Sequence, residues 1–288
     1  MGVTIHDLKA MKERSEHIAM LTAYDYPTAR LLDEAGIPVL LVGDTLGMVI
    51  LGQETTLAVT LETIIHHTKA VVRGAKQALV VADMPFLTYQ VNPDEAVRNA
   101  GRLLQEGGAH AVKLEGGAPV VETITRLVDA GIPVMGHLGL TPQSVHQLGG
   151  FRLQSKTEAS IRQLLDDARA VEAAGAFAVV LELVPGPVAE VVTRALSIPT
   201  IGIGAGVHCD GQVQVITDLL HLIPGPLPKH AKIYFDMGAA MTEAVARYLD
   251  DVRAGTFPTE AETFKLPKGV DRAWLASLTG SDERWEEA

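Results

Sequence analysis

The chain has 288 residues, 47% of them hydrophobic, with 24 basic and 35 acidic side chains and a formal net charge of −11. That acidic excess argues against nucleic acid or an anionic membrane as the main partner. The single cysteine, Cys209, excludes an internal disulfide and a cysteine-rich zinc site, and it fits a reduced, cytoplasmic compartment. No apolar run reaches the length of a membrane helix, and the N-terminus lacks a signal-peptide core.

Residues 4–17 place Leu8 and Met11 among charges and predict a short leading helix. Ile18 to Thr22 is the first apolar strand, followed by Asp25 as a cap and Pro27 in the first turn of a helix that Gly36 stops. Val39 begins V-L-L-V-G-D-T-L-G, a run with no polar face that reads as a strand buried on both sides. Thr60 opens a helix to Gly74, and Leu79 to Asp83 is the third strand. Asn92, Pro93 and Glu95 start the next helix in a capping-box arrangement. Ala111 to Glu115 is the fourth strand, and Pro133 to His137 the fifth. Residues 139–155 form a polar loop longer than most, a length often tied to function.

An amphipathic helix carrying Ile161, Leu164, Leu165, Ala168 and Val171 ends at Gly175. The sixth strand is Phe177 to Glu182 and the seventh Thr200 to Ile203; residues 213–216 are the best eighth. Met237 to Val252 is a long final helix. Strands alternating with helices at this period mean right-handed βαβ units and a parallel sheet. Eight of them predict one (β/α)8 TIM barrel over residues 1–264, with a C-terminal extension over 265–288 that is partly helical or disordered. An open doubly wound sheet is the alternative. Its dinucleotide fingerprint is missing, because Gly202, Gly204 and Gly206 are spaced G-x-G-x-G and come late.

In such barrels chemistry sits where the strands finish. Asp44, Asp83, Glu115, His137 and Glu182 all fall there. Any one acid reads equally well as a helix cap, but Glu is a poor cap, and Glu115 and Glu182 sit inside apolar runs. Lys113 is two residues before Glu115 and shares its side of the strand. Two aspartates and a glutamate, without cysteine or paired histidine, suit a hard cation such as Mg²⁺. A cation of that kind chelates a 2-oxo acid and acidifies the neighbouring C–H, for which Glu182 is the natural base. His137 reads equally as a substrate contact or as a hydrogen-bonded rim residue. Gly204-Ala205-Gly206 reads as a phosphate cradle or as a tight turn.

The motifs L-T-A-Y-D at 21–25, V-G-D-T-L-G-M at 42–48, A-D-M-P-F at 82–86, V-K-L-E-G-G at 112–117 and G-H-L-G-L-T-P-Q-S at 136–144 resemble the ketopantoate hydroxymethyltransferase family. I-G-I-G-A-G at 201–206 joins them, and the likeness runs from about Thr22 to Phe264. The resemblance implies a (β/α)8 barrel, dependence on Mg²⁺, and 5,10-methylenetetrahydrofolate as co-substrate. The implied reaction converts 3-methyl-2-oxobutanoate to 2-dehydropantoate on the way to pantothenate. By position it implies that Asp44 and Asp83 hold Mg²⁺ with Glu115 completing or supporting the shell. Asp44, Thr45, Asp83 and Lys113 would contact the oxo acid, and Glu182 would take its C3 proton. It also implies a homo-oligomer, typically a decamer. Thr45 departs from the family's usual serine: the hydroxyl survives, and the added methyl stiffens the rotamer. Residues 265–288 extend past the usual end, with Trp274, Leu275 and Leu278 able to form a short docking helix before a solvated tail. Two rivals stand beside this reading: a Mg²⁺-dependent carbon–carbon lyase of the isocitrate lyase type, which usually carries a reactive loop cysteine, and a non-catalytic barrel scaffold.

Overall fold

The computed structural model describes residues 2–279. Eight strands close into one barrel: β1 Ile18–Thr22, β2 Val39–Val42, β3 Leu79–Asp83, β4 Ala111–Glu115, β5 Val134–Gly139, β6 Ala178–Glu182, β7 Thr200–Ile203 and β8 Gly211–Gln214. Every neighbouring pair is parallel, including β8 against β1, so no edge is left open. The long crossover helices are Tyr26–Glu34, Leu61–Gly74, Pro93–Gln105, Val121–Asp129, Glu158–Ala173 and Gly186–Ala195. Their starts follow the sequence signals: Asp25 accepts from the Thr28 N–H at 2.8 Å, and Asn92 from the Glu95 N–H at 2.8 Å.

Each strand serves two cores, because successive side chains point to opposite faces. Leu40, Val42, Val80, Ala82, Val112, Leu114, Val179 and Leu181 face outward and pack with Ile64, Leu103, Ile124, Leu127 and Val171 of the helices. The alternate residues fill the lumen: Ile18 and Met20, Val39 and Leu41, Leu79 and Val81, Ala111, Met135, Ala178 and Val180, Ile201, Val213. The leading helix, Ile5–Glu13, adds a fully buried Leu8 to this lumen cluster. It is tied to the N-terminal ends of the strands, where the Val3 N–H donates to the Gln77 carbonyl and Lys12 pairs with Asp210 at 2.8 Å.

Three expectations are corrected. The eighth strand is Gly211–Gln214, not 213–216, and Ile216–Leu219 is a helical turn. Gly211 lets two strands approach: a Cβ there would stand 2.4 Å from the Ile18 carbonyl. The 139–155 segment is not structureless, since it holds a 3-10 turn Pro142–Ser144 and a short helix Val145–Leu148. Finally, the chain divides into two compact units at Asp236 and Met237 rather than near 264. The helix Met237–Ala254 has the apolar spacing of a barrel helix, which is why its sequence joins it to the barrel. In that second unit the Tyr248 and Phe257 rings meet edge to face at 5.6 Å, and Arg272–Thr279 is the helix carrying Trp274, Leu275 and Leu278. The proposed solvated tail lies outside the described residues.

Candidate active site

Continuing the two-residue step of the lumen to the strand exits brings Thr22, Asp83, Lys113, Glu115, His137 and Glu182 to one end. With Asp44 and Thr45 from the turn after β2, they line a single cavity of about 40 Å³. All seven candidate residues therefore meet at the C-terminal mouth of the barrel. Asp44, Asp83, Lys113, Glu115 and His137 are each at most 5% exposed.

The register explains the contacts. Asp83 pairs with Lys113 across β3 and β4, and Glu115 with His137 across β4 and β5. The Lys113 ammonium lies 2.7 Å from Asp83 Oδ1, while Asp83 Oδ2 accepts the Asp44 N–H at 2.9 Å. His137 Nδ1 stands 3.3 Å from Glu115 Oε1, and Nε2 stands 3.1 Å from Glu182 Oε2. Gly139 opposes Glu182 at φ +89°, and a Cβ there would sit 2.2 Å from the Glu182 carbonyl, so only glycine lets β5 pass so close.

Electrostatics follow from burial. Desolvation pushes the Asp44 carboxyl well above its ordinary value, and the negative Asp83 and Glu115 push the same way. Desolvation disfavours the Lys113 cation, but Asp83, Glu115 and Asp44 outweigh it and raise the ammonium. Burial and the neighbouring Lys113 oppose a proton on His137, yet its bonds to Glu115 and Glu182 hold the imidazolium up to about 9. Lys113 Nζ and His137 Nδ1 are 3.3 Å apart, two cations tolerated because each also faces a carboxylate. Four carboxyl groups thus surround two cations, a formal surplus of two negative charges that the metal-free pocket relieves by favouring the proton on Asp44.

Among the described residues, no three acid, histidine or cysteine side chains already form a metal cage. Internal partners occupy the oxygens: Lys113 on Asp83, His137 on Glu115. The donor set still fits a divalent cation, because hard oxygens and a formal surplus of two negative charges are what such an ion requires.

Two functional-looking residues escaped the sequence analysis. Gln143, from the Pro142–Ser144 turn, is 5% exposed and bonds Asp44 and Glu115. Tyr89 is buried, and its hydroxyl meets Gln143 Oε1 at 2.8 Å. Gln143 lies in the motif at 136–144 but carries no charge to draw notice; Tyr89 has no sequence signal. Cys209 is buried in the outer shell, and desolvation raises its thiol, so it is no poised thiolate. Gly204 and Gly206 have φ of +65° and +82°, and a Cβ on Gly206 would meet the Gly186 backbone at 2.9 Å, which accounts for them as a tight turn.

Comparison with known proteins agrees with this geometry. Solved structures that share the fold include phosphonopyruvate hydrolase in complex with oxalate and Mg²⁺ (TM-score 0.58, 14% identity, 96% of this chain and 95% of that one). Another is 2,3-dimethylmalate lyase (TM-score 0.53, 18% identity, 97% and 95%). The 3-methyl-2-oxobutanoate hydroxymethyltransferase of Dehalococcoides mccartyi is 57% identical over 270 residues, covering 94% of this chain and 97% of its own. The same-named enzyme of Chloroflexus aurantiacus is 54% identical over 287 residues and matches the full length of both. The model of ketopantoate hydroxymethyltransferase matches residues 2–260. The chain is therefore a member of the ketopantoate hydroxymethyltransferase family, transferases of pantothenate synthesis.

Proposed function

We propose that the mouth cavity transfers a hydroxymethyl unit from 5,10-methylenetetrahydrofolate to 3-methyl-2-oxobutanoate, giving 2-dehydropantoate, with Mg²⁺ held by Asp44 and Asp83 and Glu115 behind them. The observation that carries this reading is the surplus negative charge. A 2-oxo acid is itself an anion, and Coulomb repulsion bars it from a low-dielectric pocket that is already negative. One divalent cation cancels the surplus and makes the same pocket attractive. Bound there, Mg²⁺ would polarise the keto group and acidify C3. The same fold holds oxalate and Mg²⁺ in phosphonopyruvate hydrolase, and oxalate offers the paired oxygens of a 2-oxo acid.

The chain's own residues supply the rest. Lys113 meets substrate oxygen with positive charge, and Thr45 and Asp44 border the space the acid takes. Glu182, 16% exposed at the cavity wall, is positioned as the base for the C3 proton. His137 stands as a charge partner between Glu182 and Glu115, 3.1 and 3.3 Å from their oxygens, holding the base beside the substrate rim. The cavity has no room for a folate, which would approach from the mouth, where Pro142 lines the rim. The new C–C bond joins C3 to the one-carbon unit, both bonds from that carbon to folate nitrogens break, water supplies the hydroxyl, and tetrahydrofolate leaves with the C3 proton and the remaining proton of the water.

Incubation with the oxo acid, 5,10-methylenetetrahydrofolate and Mg²⁺ tests this. Product is expected only with all three present. No product removes the reading, and full activity in excess EDTA removes its metal half. The same reading makes the enzyme a cytoplasmic homo-oligomer whose partners are small molecules, which light scattering and cell fractionation check.

A further inference from the structure

We infer that Gln143 is a positioning residue that locks Asp44 to the support carboxylate Glu115, and that Tyr89 fixes its amide. This rests on the metal reading above. The Gln143 side-chain NH₂ has two protons and two acceptors: Asp44 Oδ2 at 2.9 Å and the Met84 carbonyl at 2.9 Å. Its amide oxygen faces two donors, the Tyr89 hydroxyl at 2.8 Å and Gln90 Nε2 at 3.2 Å. Its backbone N–H donates to Glu115 Oε2 at 3.0 Å. The amide cannot turn over, because that would set its oxygen against a carboxylate and a carbonyl and its NH₂ against the donor from Gln90.

One residue, through its side chain and its backbone N–H, therefore ties together the exits of β2, β3 and β4 from a turn that follows β5. Tyr89 closes the network. It accepts the Glu115 N–H at 3.1 Å and gives its single proton to Gln143, the nearer of its two acceptors. Burial, with the Glu115 charge next, raises the Tyr89 phenol, so it stays a donor. A fully satisfied network of this kind fixes carboxylate rotamers. Outer partners of metal ligands characteristically change metal affinity 10–100-fold. Gln143 touches no reacting atom in this arrangement; it acts through Asp44 and Glu115.

The test is Mg²⁺ binding by calorimetry on wild type, Gln143→Leu, Tyr89→Phe and the double variant, with kcat and KM for the oxo acid. Gln143→Leu keeps the volume and removes all four side-chain hydrogen bonds, leaving the backbone N–H on Glu115. Its Mg²⁺ Kd is expected to rise about 10–100-fold, with a fall in kcat larger than any rise in KM. Tyr89→Phe removes one hydroxyl and should move Kd in the same direction by a smaller factor, with no further loss when added to Gln143→Leu. Wild-type Kd in Gln143→Leu overturns the inference while leaving the metal reading intact, even if the variant melts earlier. Absence of Mg²⁺ binding by the wild type overturns both. If Gln143→Leu does not fold, Tyr89→Phe decides, and an unchanged Kd there counts against the network.

Discussion

At the N-terminal end of the strands Leu8 enters the lumen cluster, beneath layers of Ile, Val, Leu and Met. At the opposite end the same inward-facing positions carry Asp83, Lys113, Glu115, His137 and Glu182. The strands run straight from one chemistry into the other, so the backbone geometry is shared and only the side chains differ. The apolar layers bury surface worth about 1.5–3 kcal/mol per large side chain. The polar layer stores unfavourable desolvation and like-charge repulsion. Stability is concentrated at the closed end and reactivity at the open one, and each can be altered without the other.

The largest expected effect lies at the open end. Glu182→Gln should slow exchange of the C3 proton of 3-methyl-2-oxobutanoate by about 10²–10⁴-fold, the usual span for a positioned base. Mg²⁺ binding and the melting temperature should hold. NMR in deuterated water reads the exchange, and undiminished exchange removes Glu182 from that role. At the closed end Leu8→Ala should destabilise by about 2–5 kcal/mol, the cost of a lost leucine and its cavity. Its kcat should stay within about twofold. A Leu8→Ala protein that lost turnover while keeping its stability would break the division between the two ends.

A smaller effect links the two ends through pH. The folded-state value of His137 is raised from 6.5 to about 9, so its contribution is complete below 6.5 and is lost as pH rises through about 9. The raised Asp44 has the same sign: its contribution is present below its ordinary value and is lost as pH rises. Metal-free protein should therefore lose on the order of 3 kcal/mol between about pH 6.5 and 9. Thermal melts in chelator read this, and His137→Gln should flatten the slope. A rise in stability across that window would contradict the charge assignment.

The barrel and the polar layer were legible in the sequence for the same reason. Buried parallel strands leave continuous apolar runs, so a terminal Asp83, Glu115 or Glu182 stands out against them. The two-residue step from Lys113 to Glu115 survives intact because strand geometry enforces it. What escaped depends on contacts distant in the chain. Gln143 meets Asp44 across 99 positions, and no local pattern announces it. The eighth strand escaped because Gly211 and two glutamines hide it, and the boundary at Asp236 because the helix from Met237 has the apolar spacing of a barrel helix.

The central claim is that carboxyl groups outnumber cations by two at the open end and that one divalent cation neutralises that surplus. Calorimetric titration of metal-free protein with Mg²⁺ tests it most directly, comparing wild type with Asp83→Asn, which keeps shape and removes one charge. The account predicts one ion per chain and a Kd at least about tenfold weaker in the variant, the loss expected when about 1.4 kcal/mol of binding disappears. A wild type that takes up no Mg²⁺, or a variant that titrates identically, would contradict it.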